Sequence, residues 1–112
     1  MRTLIAANNY ATSLTELKRF GEGRSLLRKA VPVARRVKGD ANETTLRLRW
    51  NYAKALYKNT AATLDDLREA VTTYEDTVRI ARRVMGGGHP FLGPIERDLE
   101  RSRAALREAS HS

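Results

Sequence analysis

The sequence predicts an all-α protein built from two repeated helical hairpins and a C-terminal capping helix. Apolar residues recur at the three- and four-residue spacing of amphipathic helices, and the alternation of a strand is absent. Two motifs occur twice: an Asn-Tyr-Ala tripeptide at 9–11 and 51–53, and a Val/Ile-Ala-Arg-Arg-Val pentapeptide at 33–37 and 80–84. Such a repeat is one supersecondary unit, which buries its apolar face against its neighbour.

Glycine, threonine and proline residues mark the predicted ends of the helices. Gly21 separates the first two helices, and Gly39 follows the second, where a left-handed residue often ends a helix. Thr63 is suited to cap the fourth helix with its hydroxyl, and Pro94 fits the first turn of the fifth. Pro32 conflicts with the second helix because it removes a backbone hydrogen bond, so packing must enforce the helix there. The predicted helices lie near residues 3–19, 22–38, 43–58, 64–85 and 94–108.

The 112 residues suit one domain. We expect a single helical-repeat domain over 1–109 and a disordered tail at 110–112. Its predicted parts are repeat one at about 4–45, repeat two at about 46–94 and a terminal helix at about 95–109.

Composition argues against several functional classes. The chain has no cysteine, which excludes disulfides and thiolate metal sites, and no apolar run approaches the roughly 20 residues of a membrane span. The residues before Asn8 are too few for a signal peptide, so we expect a cytoplasmic protein. Neither His89 nor His111 has partners nearby in sequence for catalysis or metal binding. We therefore expect no enzyme activity, no cofactor and no metal site.

Four motifs in a fixed order give the chain a family resemblance. Each repeat begins with Asn-Tyr-Ala and continues to a turn that ends in Glu-Gly in the first repeat and Glu-Ala in the second. A segment Ala-Val-Pro-Val or Thr-Val-Arg-Ile follows, and each repeat ends with a glycine-containing sequence, which is Gly-His-Pro at residues 88–90 in the second. Together they cover most of residues 4–94 and resemble the tetratricopeptide repeats of the kinesin light chain type. The resemblance implies a fragment of a right-handed α-solenoid that binds a partner protein. In this sequence Lys18 stands where that family has its turn glycine.

The excess of positive charge lies in the first half of the chain and is purest in one short segment. The formal charge is +8, and residues 46–62 contain four basic residues and no acidic one, which favours an anionic partner. In the resembled fold the first helix of each repeat lines a concave groove, and the related modules bind acidic peptides that contain tryptophan. We therefore expect an acidic peptide or protein partner in this groove, with Trp50 as either a groove anchor or a core residue. The expected peptide-binding residues are Asn8, Asn9, Thr12, Arg47, Trp50, Asn51, Lys54 and Lys58, and Arg97 and Arg101 of the fifth helix could follow them.

Other surfaces suggest alternative functions. Paired arginines near the ends of the second and fourth helices, Arg35, Arg36, Arg82 and Arg83, could bind nucleic acid. The chain could also serve as a structural fragment of a longer repeat array. Its fifth helix looks like a polar cap, whereas Leu4, Ile5 and Leu14 leave an apolar stacking face in the first. This predicts self-association, or a preceding repeat, at the N-terminal face.

Overall fold

Five helices form the protein. The computed structural model describes residues 2–86 and 88–111, and for residues 2 and 3 it describes the backbone alone. The helices are α1 (Arg2–Glu16), α2 (Phe20–Lys38), α3 (Glu43–Tyr57), α4 (Leu64–Met85) and α5 (Leu92–Ser110). The all-α prediction is confirmed. Ser110 ends α5, and Ser112, in the expected tail, lies outside the described residues.

The helices pack in two layers. Each helix packs against the next along the chain, and α3 also packs against α1 and α5. The short connections make consecutive helices antiparallel neighbours. As a result α1, α3 and α5 lie side by side in one layer, while α2 and α4 form the other. The first helix of each hairpin therefore faces the same side of the molecule.

Small and branched apolar side chains share the core between the layers. Leu27, Leu46 and Ile95 have no exposed surface, and each buried side chain of this size contributes about 1.5–3 kcal/mol to folding. Alanines fill the closest helix contacts, where larger side chains would push the axes apart. The fully buried alanines are Ala11, Ala34, Ala53, Ala70 and Ala81.

The exposed apolar residues of α1 are not all those that the sequence predicted. Leu4 and Leu14 are only 5% and 2% exposed, because α1 uses them to pack onto its neighbouring helices. Their assignment to an open face was wrong. Ile5 is exposed as expected, and Tyr10 and Leu17 join it among the exposed large side chains of this part of the chain.

Most helix ends follow the sequence signals, but the break between the first two helices does not. Gly21 was expected to separate them, whereas α1 ends at Glu16 and α2 begins at Phe20, so Gly21 lies inside α2. Thr63 caps α4: its hydroxyl accepts the backbone N–H of Asp66, whose carboxylate accepts the N–H of Thr63, both at 3.1 Å. Pro32 lies on the exposed side of an unbroken α2. The fifth helix begins two residues before the predicted start, at Leu92, because this residue and Phe91 are drawn into the core. No helix of the described residues has the length and apolar character to cross a membrane.

The turn after α1 places a lysine in a backbone conformation that favours glycine. Lys18 has a φ of 61°, and its N–H donates to the carbonyl of Thr15 at 3.0 Å while the N–H of Arg19 donates to Leu14 at 2.8 Å. These two bonds form a Schellman motif, in which the left-handed residue is usually glycine. Lys18 therefore occupies the glycine position of the resembled family in conformation as well as in sequence.

We expect Lys18→Gly to raise the free energy of unfolding by about 1 kcal/mol, because glycine adopts positive φ without steric strain. Urea unfolding followed by circular dichroism measures the change. Lys58→Gly is the matched control, since Lys58 ends α3 with an ordinary φ of −80°. There glycine should be destabilising. An equal response of the two variants would contradict the argument.

Candidate functional site

Three of the predicted site residues form a polar cluster between α1 and α3. The Nδ2 of Asn51 donates to the Oδ1 of Asn8 at 2.5 Å and to the Oγ1 of Thr12 at 3.3 Å. These bonds hold the two helices in register. A carboxamide has two N–H donors and a carbonyl acceptor, so the cluster retains hydrogen-bonding capacity for a ligand.

Three adjoining concavities make a continuous groove along this face. The central one shares Arg47 and Trp50 with its neighbour at the α4–α5 turn, and it shares Thr12, Asn51 and Lys54 with its neighbour at the α1–α2 turn. We call the whole the basic groove. It is lined by Asn8, Thr12, Thr15, Glu16, Lys18, Phe20, Arg47, Trp50, Asn51, Lys54, Lys58, His89, Pro90, Phe91 and Pro94.

Most of the charged residues that line the basic groove are cations. Lys18 and Lys58 lie at its α1–α2 end, and neither makes an ion pair within the described part of the chain. Arg47 lies at the other end, with its guanidinium carbon 5.4 Å from the ring centroid of Phe91. Its contact with Glu43, at 3.7 Å, is solvent-exposed and therefore weak.

A buried carboxylate that the sequence analysis did not identify lies beneath the groove. Asp98 of α5 is 6% exposed, and its Oδ2 accepts the indole N–H of Trp50 at 2.7 Å. Its Oδ1 accepts the hydroxyl of Tyr57 at 3.4 Å. Lys54 and Arg101 add ion pairs at 3.7 and 3.6 Å. Asp98 thus joins α3 to α5 and neutralises part of the charge of Lys54.

Two tyrosines, the half-buried Tyr57 and the buried Tyr74, lie near this carboxylate. Burial, and secondarily the charge of Asp98, raise the pKa of Tyr57 to about 12, so its hydroxyl remains a hydrogen-bond donor at neutral pH. Tyr74 packs edge-on against Tyr57, with ring centroids 5.9 Å apart, and burial raises its pKa also. The Tyr74 hydroxyl is the buried side-chain atom that lacks a hydrogen-bond partner in the described structure.

Trp50 belongs to both the groove and the packing of α3 against α5. It is half-buried, lines two parts of the groove and packs edge-on against Phe91, with centroids 5.1 Å apart at 77°. The Nζ of Lys54 lies 5.3 Å from its ring centroid, within cation–π distance. With its N–H bound to Asp98, the indole is fixed in place before any ligand arrives.

The remaining predicted residues lie elsewhere. Asn9 is exposed and does not line the groove. Arg97 is exposed beside Gly93, and Arg101 pairs with Asp98, so neither lines the three concavities. Among the described residues, no group of three or more histidine, aspartate and glutamate side chains could hold a metal ion.

Within each of the two arginine pairs, one arginine makes an ion pair and the other does not. Arg35 pairs with Asp40 at 2.6 Å, which lowers the pKa of that carboxyl, and Arg82 pairs with Glu96. Arg36 and Arg83 are exposed and make no ion pair within residues 2–86 and 88–111. Each pair therefore contributes one unpaired arginine to the layer formed by α2 and α4.

Comparison with known protein families gives a match in two segments. The family model described as "Tetratricopeptide repeat" matches residues 3–42 and 59–91, which together make up more than half of the chain. The first segment contains α1 and α2, and the second contains α4 with its flanking loops. No curated protein and no solved structure matches the chain.

Proposed function

We propose that this chain, which belongs to the tetratricopeptide repeat family, binds an acidic peptide segment of a partner protein in the basic groove. Tetratricopeptide repeats are generally protein–protein interaction modules. The observation that supports an acidic ligand is the lining of the groove, where Glu16 is the single carboxylate beside four cations. These cations are Lys18, Arg47, Lys54 and Lys58.

The two ends of the groove favour different ligand groups. Lys18 and Lys58 are mobile point charges suited to carboxylates in a flexible segment, whereas the planar guanidinium of Arg47 can bind a carboxylate with two hydrogen bonds. Trp50 and Phe91, with two prolines, give the Arg47 end an apolar surface for an aliphatic or aromatic side chain. The resemblance to the kinesin light chain type supports the same class of ligand.

Charge reversal in the groove tests this proposal. The probe is a fluorescein-labelled peptide with one tryptophan among aspartates and glutamates, titrated by fluorescence anisotropy at two salt concentrations. Lys58→Glu and Arg47→Glu should each weaken binding about tenfold or more, because a like charge then faces the ligand. In these variants the dependence of peptide affinity on salt concentration should also decrease.

Arg36→Glu and Arg83→Glu are the matched controls. They make the same charge change at unpaired, exposed arginines outside the groove. We expect them to change peptide affinity by less than about twofold, because solvent and salt screen distant charges. If all four variants bind the peptide equally, the groove is not its site.

The unpaired arginines of α2 and α4 favour nucleic acid as the second candidate function. A nucleic-acid complex would show a steep fall in affinity with salt for any sequence. Duplex and single-stranded DNA are titrated beside the peptide. DNA binding that is lost in Arg36→Glu and Arg83→Glu but retained in Lys58→Glu would favour this second function over the peptide groove.

A further inference from the structure

The side of α1 away from the core carries an exposed face that is continuous along the helix. We call it the α1 outer face, formed by Ala6, Asn9, Tyr10 and Ser13. These residues are spaced three and four apart, so they lie along one side of the helix. All four are exposed, and Tyr10 is 57% exposed despite its size.

The equivalent positions of the second repeat indicate the kind of surface that the α1 outer face forms. The equivalent positions on α3, 42 residues later, are Leu48, Asn51, Tyr52 and Ala55. There the first and last are 0% and 1% exposed and the tyrosine is 8% exposed. This side of α3 is covered because the first hairpin packs against it. The α1 outer face therefore has the position of a helix-packing surface without its covering helices in the described structure.

The polar groups of the two faces show the same contrast. The hydroxyl of Tyr52 accepts a hydrogen bond from Arg28 of α2 at 2.9 Å and donates one to Glu69, and its pKa is raised chiefly by burial. Asn51 likewise donates to Asn8 of the preceding hairpin. Tyr10, in the position of Tyr52, is exposed and makes no side-chain hydrogen bond within the described residues.

The charge of α1 favours one occupant of its outer face. No charged residue lies between Arg2 and Glu16, although the chain as a whole is 30% charged. A neutral face can pack against a copy of itself without like-charge repulsion, and small side chains such as Ala6 and Ser13 allow two helices to approach closely. An acidic or basic partner would find no opposite charge there.

The other end of the molecule is poorly suited to cover this face. The cleft between α4 and α5 is bridged by ion pairs that join Arg82 to Glu96 and Arg103 to Glu75, the latter at 3.0 Å. These charges lie over the buried Leu99 at the base of the cleft. Head-to-tail association would have to break or desolvate these pairs, which disfavours open chains of molecules.

We propose that two copies of this chain associate through the α1 outer face, with α1 packed against α1 about a two-fold axis. In such an interface the same residues contribute from both copies. The groove residues Asn8 and Thr12 lie on another side of α1, where they contact α3. The dimer therefore leaves both grooves open, and its existence does not depend on what they bind.

The oligomeric state and its sensitivity to Tyr10 test the proposal. Sedimentation equilibrium over a wide concentration range should give twice the monomer mass for the unaltered protein. Tyr10→Glu should shift the protein to monomer, because it places two carboxylates at the axis. Val84→Glu is the matched control, an equally exposed apolar residue of α4, at 50% exposure, and it should remain dimeric. Circular dichroism verifies that both variants remain helical.

Cross-linking gives an independent readout because the chain has no cysteine. Ser13→Cys should form a disulfide-linked dimer under mild oxidation many times faster than Ser25→Cys, an exposed serine of α2. A monomer at every concentration, assembly beyond the dimer, or equal cross-linking of the two cysteine variants would overturn the proposal. So would a dimer that Tyr10→Glu leaves intact.

Discussion

Asp98→Ala should lower the free energy of unfolding by about 3 kcal/mol. The substitution leaves the indole N–H of Trp50 and the hydroxyl of Tyr57 without their acceptor, and each unsatisfied buried donor costs about 1–3 kcal/mol. It also removes the carboxylate that partly balances Lys54. Urea unfolding measures the loss, and the fluorescence of Trp50, the single tryptophan of the chain, reports the change in its surroundings.

Two further variants test whether the loss of stability comes from the hydrogen bonds of Asp98 or from the removal of any carboxylate from α5. Asp98→Asn keeps a carbonyl acceptor for Trp50 and should cost less than Asp98→Ala. Glu100→Ala removes an exposed carboxylate of the same helix and should change stability by no more than about 0.5 kcal/mol. A similar stability for Asp98→Ala and Glu100→Ala would contradict the assigned role of Asp98.

Trp50→Ala should cost about 3 kcal/mol of stability and also weaken peptide binding. The stability loss follows from removal of a large side chain packed against Phe91, and it lies at the low end of such substitutions because Trp50 is only half-buried. The binding loss follows because the indole lines two parts of the groove. Calorimetric unfolding measures the stability loss, and peptide anisotropy, carried out below the transition temperature of the variant, measures the binding loss.

Trp50→Phe distinguishes the two roles of this residue. Phenylalanine retains an aromatic ring beside Phe91 but has no N–H for Asp98, so it should restore part of the stability. If Trp50 serves only in packing, Trp50→Phe and the wild type will bind the peptide equally. If it also contacts the ligand, the smaller ring should reduce affinity even though the groove remains folded.

The helices could be predicted from the sequence because their signals are local. Thr63 and Asp66 are three residues apart and cap α4 without help from the rest of the chain. Gly39 adopts positive φ directly after α2, as its position after the apolar stripe indicated, and Gly86 does the same after α4. Four boundaries differ by two or three residues from the prediction: α1 ends at Glu16, α2 begins at Phe20, and α5 begins at Leu92 and ends at Ser110. The start of α5 differs because burial of Phe91 and Leu92 is decided by tertiary packing.

The centre of the groove was harder to predict because it depends on contacts distant in sequence. The hydrogen bond between Trp50 and Asp98 spans 48 residues, and an acid in a strongly charged helix is usually solvent-exposed. A signal was nevertheless present. Asp98 lies three residues after Ile95 and four before Ser102, so it falls within the buried stripe of α5. An acid at such a position requires buried partners.

For the proposed ligand, the position of Asp98 would link binding to the last helix of the chain. Trp50 and Lys54 line the groove, and both are held by a carboxylate that α5 contributes. If α5 detached, Asp98 would become hydrated and the indole would lose its fixed orientation. A ligand that prefers the docked arrangement must therefore stabilise α5 by the same free energy by which docking strengthens the ligand's affinity. Under the proposed function, docking of α5 and occupation of the groove would therefore be coupled through one side chain.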